Sequence, residues 1–233
     1  MEEISQFKVE ELPNSSFNIF LGKRRSGKSV LAEYLIKQMI EAKKVNMVFL
    51  FSRTGAGFES VVKDPESRMT DIEKLDNIVN NYKKYNEYNK IVPKKKSRIQ
   101  LSTVVIIDDM AIDLKSKKFN ILEELAVNGR HFAYEPLNLT FLILCQSLTK
   151  IPRVVRLNAD NIYLNAIASE RERSMVLDEN FYLIDGSRTG KNEGRALYQS
   201  IVTSEPYMFV VIENHKQNCV CYADYVKKYK AVL

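Results

Sequence analysis

Histidine is nearly absent from this chain. With only His131 and His215, a histidine-based metal centre has too few ligands. Cysteine is scarce as well: Cys145, Cys219 and Cys221 are an odd number, with no Cys-x-x-Cys spacing, which argues against a disulfide framework or a zinc ribbon. Cys145 lies in an apolar, strand-like run, and Cys219 and Cys221 would share one face of another. Packing in a reducing compartment is the expected role of all three. No apolar run approaches the ~20 residues of a membrane-spanning helix, so no direct span is expected. The opening Met1-Glu2-Glu3-Ile4-Ser5 is too acidic and polar for a secretory leader. Internal repeats and Gly/Ser linkers are also lacking.

What is present is a globular composition. The 233 residues are 45% hydrophobic and 27% charged, enough for one sizeable α/β domain. We expect a single domain over 1–233, with a mostly helical insertion at about 58–100 and a C-terminal extension from about 181. The net charge of +6 favours a polyanionic partner, although ordinary solvated surface could account for much of it. Lys94, Lys95, Lys96 and Arg98 form one basic run, and Lys115, Lys117 and Lys118 another. Runs of this kind are more often solvated loops than nucleic-acid contacts.

The most informative stretch is Gly22-Lys23-Arg24-Arg25-Ser26-Gly27-Lys28-Ser29, a complete G-x-x-x-x-G-K-S phosphate loop. It follows the apolar run Phe17-Asn18-Ile19-Phe20-Leu21 and opens a helical pattern through Val30 and Leu31, extending to about Ala42. Strand, glycine loop and helix together are the context the motif requires. Glycines let backbone N–H groups turn inward around a polyphosphate, and the helix N-terminus adds its dipole. The expected nucleotide-binding set is Gly22, Lys23, Arg24, Arg25, Ser26, Gly27, Lys28, Ser29 and Val30, with ATP or GTP as ligand. Lys28 would reach the β- and γ-phosphates, and the Ser29 hydroxyl would ligate Mg²⁺.

Further strands are expected at 46–51, 104–109, 139–145 and 161–165, and two closing strands at 207–212 and 219–222. Their continuous apolar runs suit a parallel sheet covered on both faces. Helices are expected within 71–89, over 119–127 with a stop at Asn128-Gly129, and over 169–175. Val104-Val105-Ile106-Ile107-Asp108-Asp109 reads as a Walker B element about 80 residues beyond the loop. Asp108 would hold Mg²⁺ directly or through water, and Asp109 would polarise the attacking water. Gln146, polar at the tip of an apolar strand, could orient that water or sense the γ-phosphate. The lone Asn89-Lys90 lacks the Asp of a guanine reader, so a GTPase is not expected. Arg171, Arg173, Arg188 and Arg195 keep a nucleotide or nucleoside kinase with an arginine-bearing lid as an alternative. A nucleotide-gated assembly factor without useful turnover is a third reading, disfavoured by retention of both carboxylates.

Gly22 to Ser29, then Ile107-Asp108-Asp109, then Asn128-Gly129-Arg130-His131, then Cys145-Gln146-Ser147 followed by Ile151 to Asp160 occur in that order. The series resembles the poxvirus-type viral DNA-packaging ATPases of the FtsK–HerA superfamily, found in large double-stranded DNA viruses, virophages and relatives. It covers roughly residues 15–180. The resemblance implies a RecA/FtsK–HerA-like P-loop NTPase core and a homo-oligomeric ring, pentamer or hexamer. It implies a motor that uses ATP and Mg²⁺ to drive double-stranded DNA into a preformed capsid. Capsid-vertex or membrane-associated virion proteins would be partners, at assembly sites in the host cytoplasm, with the virion a second location. A neighbour's arginine would complete each site in trans, with Arg130 the first choice and Arg156 the second. The alternative for Arg130 is a cation satisfying a helix C-terminus. His131 would pack or orient, and Asn158 would serve local turn structure near the site. Two features depart from the pattern: the cationic Lys23-Arg24-Arg25, and Asp109 where many ring ATPases carry Glu.

Overall fold

The computed structural model describes residues 6–93, 95–110, 120–132, 137–180, 188–214 and 219–223. In chain order, β1 (Phe17–Leu21) leads through the glycine loop to α1 (Lys28–Glu41), followed by β2 (Met47–Ser52) and the two-residue β3 (Arg68–Met69). Helix α2 (Leu75–Ile91) precedes β4 (Leu101–Asp108), α3 (Asn120–Phe132) and β5 (Leu137–Cys145). A short α4 (Arg153–Leu157) leads to β6 (Asn161–Leu164), α5 (Glu170–Asn180) and α6 (Arg188–Ser204). The hairpin strands β7 (Phe209–Glu213) and β8 (Cys219–Ala223) close the sheet.

Among the described residues the strands form one sheet in the order β3-β2-β4-β5-β1-β6-β7-β8. Strands β1 to β6 pair in parallel, and only β7 runs against its neighbours. Alternation along β1 splits the core. Phe17, Ile19 and Leu21 face one side with Leu75, Tyr82, Leu122, Leu125, Val176 and Tyr198. Phe20 faces the other with Leu31, Leu35, Ile36 and Met39 of α1 and with Phe7, Val9 and Leu12 of the lead-in. Helices therefore cover both faces, which is why the strands read as unbroken apolar runs. This is the expected mainly parallel α/β architecture of a P-loop NTPase core.

Four local expectations differ. The stretch 58–100 contributes β3 as well as helix, and two residues carry no readable periodicity. Its place is held by Arg68, whose Nη1 donates to the Gly55 and Gly57 carbonyls, both at 2.8 Å, and whose Nη2 donates to Val62 O at 2.6 Å. Helix α3 does not stop at Asn128-Gly129 but continues to Phe132. A helical glycine costs about 1 kcal/mol, which the burial of Leu122 and Leu125 outweighs. Helix α6 has no counterpart among the expected helices; its sequence carries Gly190 and Gly194, and its apolar residues crowd into its second half. Tyr207 belongs to a turn rather than to the closing strand, which begins at Phe209. Of the tyrosines on α2, Tyr82 is buried and Tyr88 is half exposed at 49%. Among the described residues no helix is long and apolar enough to cross a membrane.

Candidate functional site

Parallel register brings the carboxyl ends of the central strands to one edge. Leu21 pairs with Cys145 on one side and Leu164 on the other, Asp108 pairs with Leu144, and Ser52 pairs with Asp108. Gly22, Asp108, Asp109, Gln146 and Asn165 therefore emerge together, where α/β sheets receive ligands. Strand β5 lies between β4 and β1, which inserts Gln146 between the paired aspartates and the phosphate loop.

The loop's shape is set by close packing. A Cβ on Gly22 would stand 2.7 Å from Ser26 Oγ and 3.0 Å from Asn165 Cβ, so any other residue there would push its neighbours aside. Arg25 and Gly27 take left-handed backbone, with φ of 62° and 90°, which bends the chain into the start of α1. Lys28 Nζ donates to the carbonyls of Gly22 at 2.9 Å and Lys23 at 3.0 Å. Burial pulls the Lys28 ammonium below its ordinary value, while Asp108 and Asp109 oppose that shift. Lys23, Arg24, Arg25 and Ser29 are exposed, Val30 is half-buried, and Ser26 is buried. A cavity of about 380 Å³ is lined by Arg25, Ser26, Gly27, Lys28, Ser29, Val30 and Tyr207.

At the end of β4, burial pushes the Asp108 carboxyl up, the charge of Asp109 adds to the shift, and Lys28 pulls against it. Asp109 leaves the strand with φ of 54°, a left-handed conformation that aspartate tolerates better than most residues. That turn carries its carboxylate toward β5, where Gln146 Nε2 donates to Oδ1 and Oδ2 at 3.4 and 3.3 Å. Cys145 packs behind them as a fully buried thiol, pushed up to about 12 by burial.

These groups fit a nucleoside triphosphate with a hard divalent cation. The Ser29 hydroxyl and Asp108 carboxylate are oxygen donors of the kind Mg²⁺ takes, and Mg²⁺ completes its shell with water and phosphate rather than an all-protein cage. Asp109, held by Gln146, is a carboxylate at the strand edge of the kind that can accept a proton from water.

The structure separates other candidates from this edge. Arg156 is buried, its Nη1 donating to Leu148 O at 3.2 Å and its Nη2 paired with Glu179 Oε1 at 3.2 Å. It serves its own chain's packing and is not among the residues lining the phosphate cavity. Asn158 does serve a turn, donating to Val154 O at 2.8 Å, but at the amino edge rather than near the loop. There it lines a second cavity of about 420 Å³ with Phe17, Leu125, Val127 and Leu157. The backbone of Arg130 and His131 lies in the last turn of α3, and their side chains lie outside the described residues. Lys94, Lys115, Lys117, Lys118 and His215 also lie outside them. Sequence reasoning missed Asn165 and Tyr207 as neighbours of the loop. They stand far from it in the chain, and no short motif marks them.

Comparison with solved structures finds the same fold. The DNA-packaging ATPase B204 of Sulfolobus turreted icosahedral virus is 17% identical, with 90% of this chain and 97% of that chain covered at a TM-score of 0.58. The genome-packaging NTPase B204 of Sulfolobus turreted icosahedral virus 2, in complex with sulfate, is 15% identical over 91% of this chain and 98% of that chain, at a TM-score of 0.60. The pCW3 conjugation coupling protein TcpA is 17% identical over 71% of this chain and 53% of that chain, at a TM-score of 0.50. No curated protein matches the sequence. The Poxvirus A32 protein family matches residues 4–228, nearly the whole length, and the chain belongs to that family.

Proposed function

We propose that this chain is the ATP-hydrolysing subunit of an oligomeric motor that moves double-stranded viral DNA into a preformed capsid. The observation that carries the reading is the Gln146–Asp109 contact, 3.3 Å at its shorter leg, built on a strand inserted between the phosphate loop and the Walker B strand. A kinase hands its phosphate to a bound acceptor and has no need of a pair that orients water. Membership of the Poxvirus A32 protein family and the shared fold of the B204 packaging enzymes support the same reading.

In this mechanism the backbone N–H groups of the loop cradle the phosphates, and Lys28 leaves the Gly22 and Lys23 carbonyls to engage the β- and γ-oxygens. Ser29 and Asp108 would hold Mg²⁺, which when bound would supply charge neutralisation to the phosphates. Asp109 orients and polarises the attacking water, and Gln146 fixes the rotamer of Asp109. A neighbouring subunit supplies the arginine. Arg130 suits that role because α3 runs back toward the amino edge, where β5 begins, away from its own phosphate loop. Burial of Arg156 against Glu179 disfavours the other candidate. The whole chain acts as one ATPase unit, with 58–100 inserted and the region from about 181 reaching back to the site. Its setting is the host cytoplasm at the assembly site, with capsid-vertex or virion membrane proteins as partners.

The test is ATP hydrolysis against protein concentration, with and without double-stranded DNA. The rate per subunit should climb with concentration and again with DNA, vanish in Lys28→Ala, and fall when Arg130→Ala chains are mixed in. A flat, DNA-indifferent rate would overturn the motor and return the kinase reading.

A further inference from the structure

The cavity at the phosphate loop has two unlike walls. One consists of Arg25 to Ser29, the backbone amides and cations that suit phosphate. The other consists of Val30 and Tyr207, the second being the one described lining residue that does not come from the loop or its helix. A nucleotide held by its phosphates at the first wall leaves its sugar and base to lie toward the second, which Tyr207 flanks.

Tyr207 is also unusual in itself. It holds φ of 67°, a conformation that is a genuine outlier for a bulky aromatic residue. Such backbone persists where the surroundings over-determine it, and it concentrates at functional sites. The surroundings here are Asn165. Its Nδ2 donates to the carbonyl of Met208, next to Tyr207, at 2.7 Å. Its backbone N–H donates to Leu21 O at 2.9 Å, and its Cβ lies 3.0 Å from where a Cβ on position 22 would stand. One residue thus ties the Tyr207 turn to the root of the phosphate loop, by its side chain on one side and its backbone on the other. The residue remains 38% exposed.

We infer that Tyr207 is the platform on which the nucleobase stacks, held in register with the phosphates by Asn165. The inference rests on the nucleotide reading above and adds the base subsite. Stacking on an aromatic ring tolerates any base, because every base offers a π-face. Among the described residues lining the cavity, none is an amide or carboxylate side chain that could read a base edge. Stacking on Tyr207 would therefore add affinity for a nucleoside triphosphate over a bare polyphosphate without by itself separating ATP from GTP.

The experiment is equilibrium binding of ATP, GTP and inorganic tripolyphosphate to the full chain and to Tyr207→Phe, Tyr207→Ala and Tyr207→Gly. ATP and GTP should bind within about threefold of each other, and Tyr207→Ala should weaken both about tenfold. Tripolyphosphate, which has no base, should bind all variants alike, and Tyr207→Phe should match the native chain. Tyr207→Gly relieves the positive φ that Tyr207→Ala keeps, so it should melt no lower than Tyr207→Ala while still losing nucleotide. Undiminished ATP binding by Tyr207→Ala overturns the proposal, as does a parallel loss of tripolyphosphate, which would make the turn a mere buttress of the loop. A native chain that shows the Tyr207 dependence but no DNA-stimulated hydrolysis overturns the motor and leaves the base platform standing. A native chain that binds neither ATP nor tripolyphosphate overturns both.

Discussion

Asp108 sits in surroundings that disfavour its charge, since burial and the neighbouring Asp109 both raise its pKa and only Lys28 opposes them. A group with a raised folded-state pKa costs nothing at low pH, where it is neutral in both states, and destabilises the fold as pH rises through its titration. Asp108→Asn should therefore stabilise the nucleotide-free protein by about 0.5–2 kcal/mol in denaturant melts, with a gain that is absent below the ordinary carboxylate range and grows as pH rises from that range through the raised titration of Asp108. The same variant should lose Mg²⁺-dependent hydrolysis. A loss of stability at the higher pH would mean that the carboxylate is better solvated than its burial implies. Cys145 offers a second check. With its thiol pushed up to about 12 by full burial, it should ignore thiol reagents at neutral pH and react only on unfolding, measured in a Cys219→Ser, Cys221→Ser background.

At the scale of elements, Arg156 joins the short α4 to α5 through Glu179, with side chains only 10% and 21% exposed. Removing one partner of a largely buried pair strands the other. Arg156→Ala should accordingly cost about 3 kcal/mol of stability, read from the denaturation midpoint, and a double-mutant cycle with Glu179→Gln should show coupling. Folded Arg156→Ala chains mixed with native ones should not depress hydrolysis in the manner expected of Arg130→Ala. If they did, Arg156 would be the residue that crosses to the neighbour. The elements also differ in how far the chain announces them. Strands β1, β2, β4 and β5 and helix α1 are legible because a buried strand needs only a short apolar run and the loop helix follows its own motif. Strand β3 and helix α6 are not. The first depends on one arginine reaching three carbonyls, and the second is obscured by two glycines that tertiary packing tolerates.

Across the whole molecule, binding and folding are linked. A ligand that binds only the folded chain stabilises it by about 2.7 kcal/mol at one hundred times its dissociation constant. ATP with Mg²⁺ should therefore raise the melting temperature of the native chain and leave Lys28→Ala unmoved. Hydrogen exchange should be slowest in β4, β5 and β1, which are central in the sheet, and fast in the two-residue edge strand β3.

The sequence by itself determined the chemistry that lives within a few consecutive residues. The glycine loop, the strand ending in Asp108-Asp109 and the strand ending in Gln146 are each local, because backbone turns and strand termini are dictated by neighbours in the chain. The tertiary structure decided what depends on strand order. It set β5 between β4 and β1, so that Gln146 meets Asp109, and buried Arg156 against a helix formed later in the chain. It also brought Asn165 and Tyr207 to the edge of the phosphate loop. Those contacts join residues tens to more than a hundred positions apart, and only the pairing and packing of a sheet covered on both faces selects among the many ways such distant residues could meet.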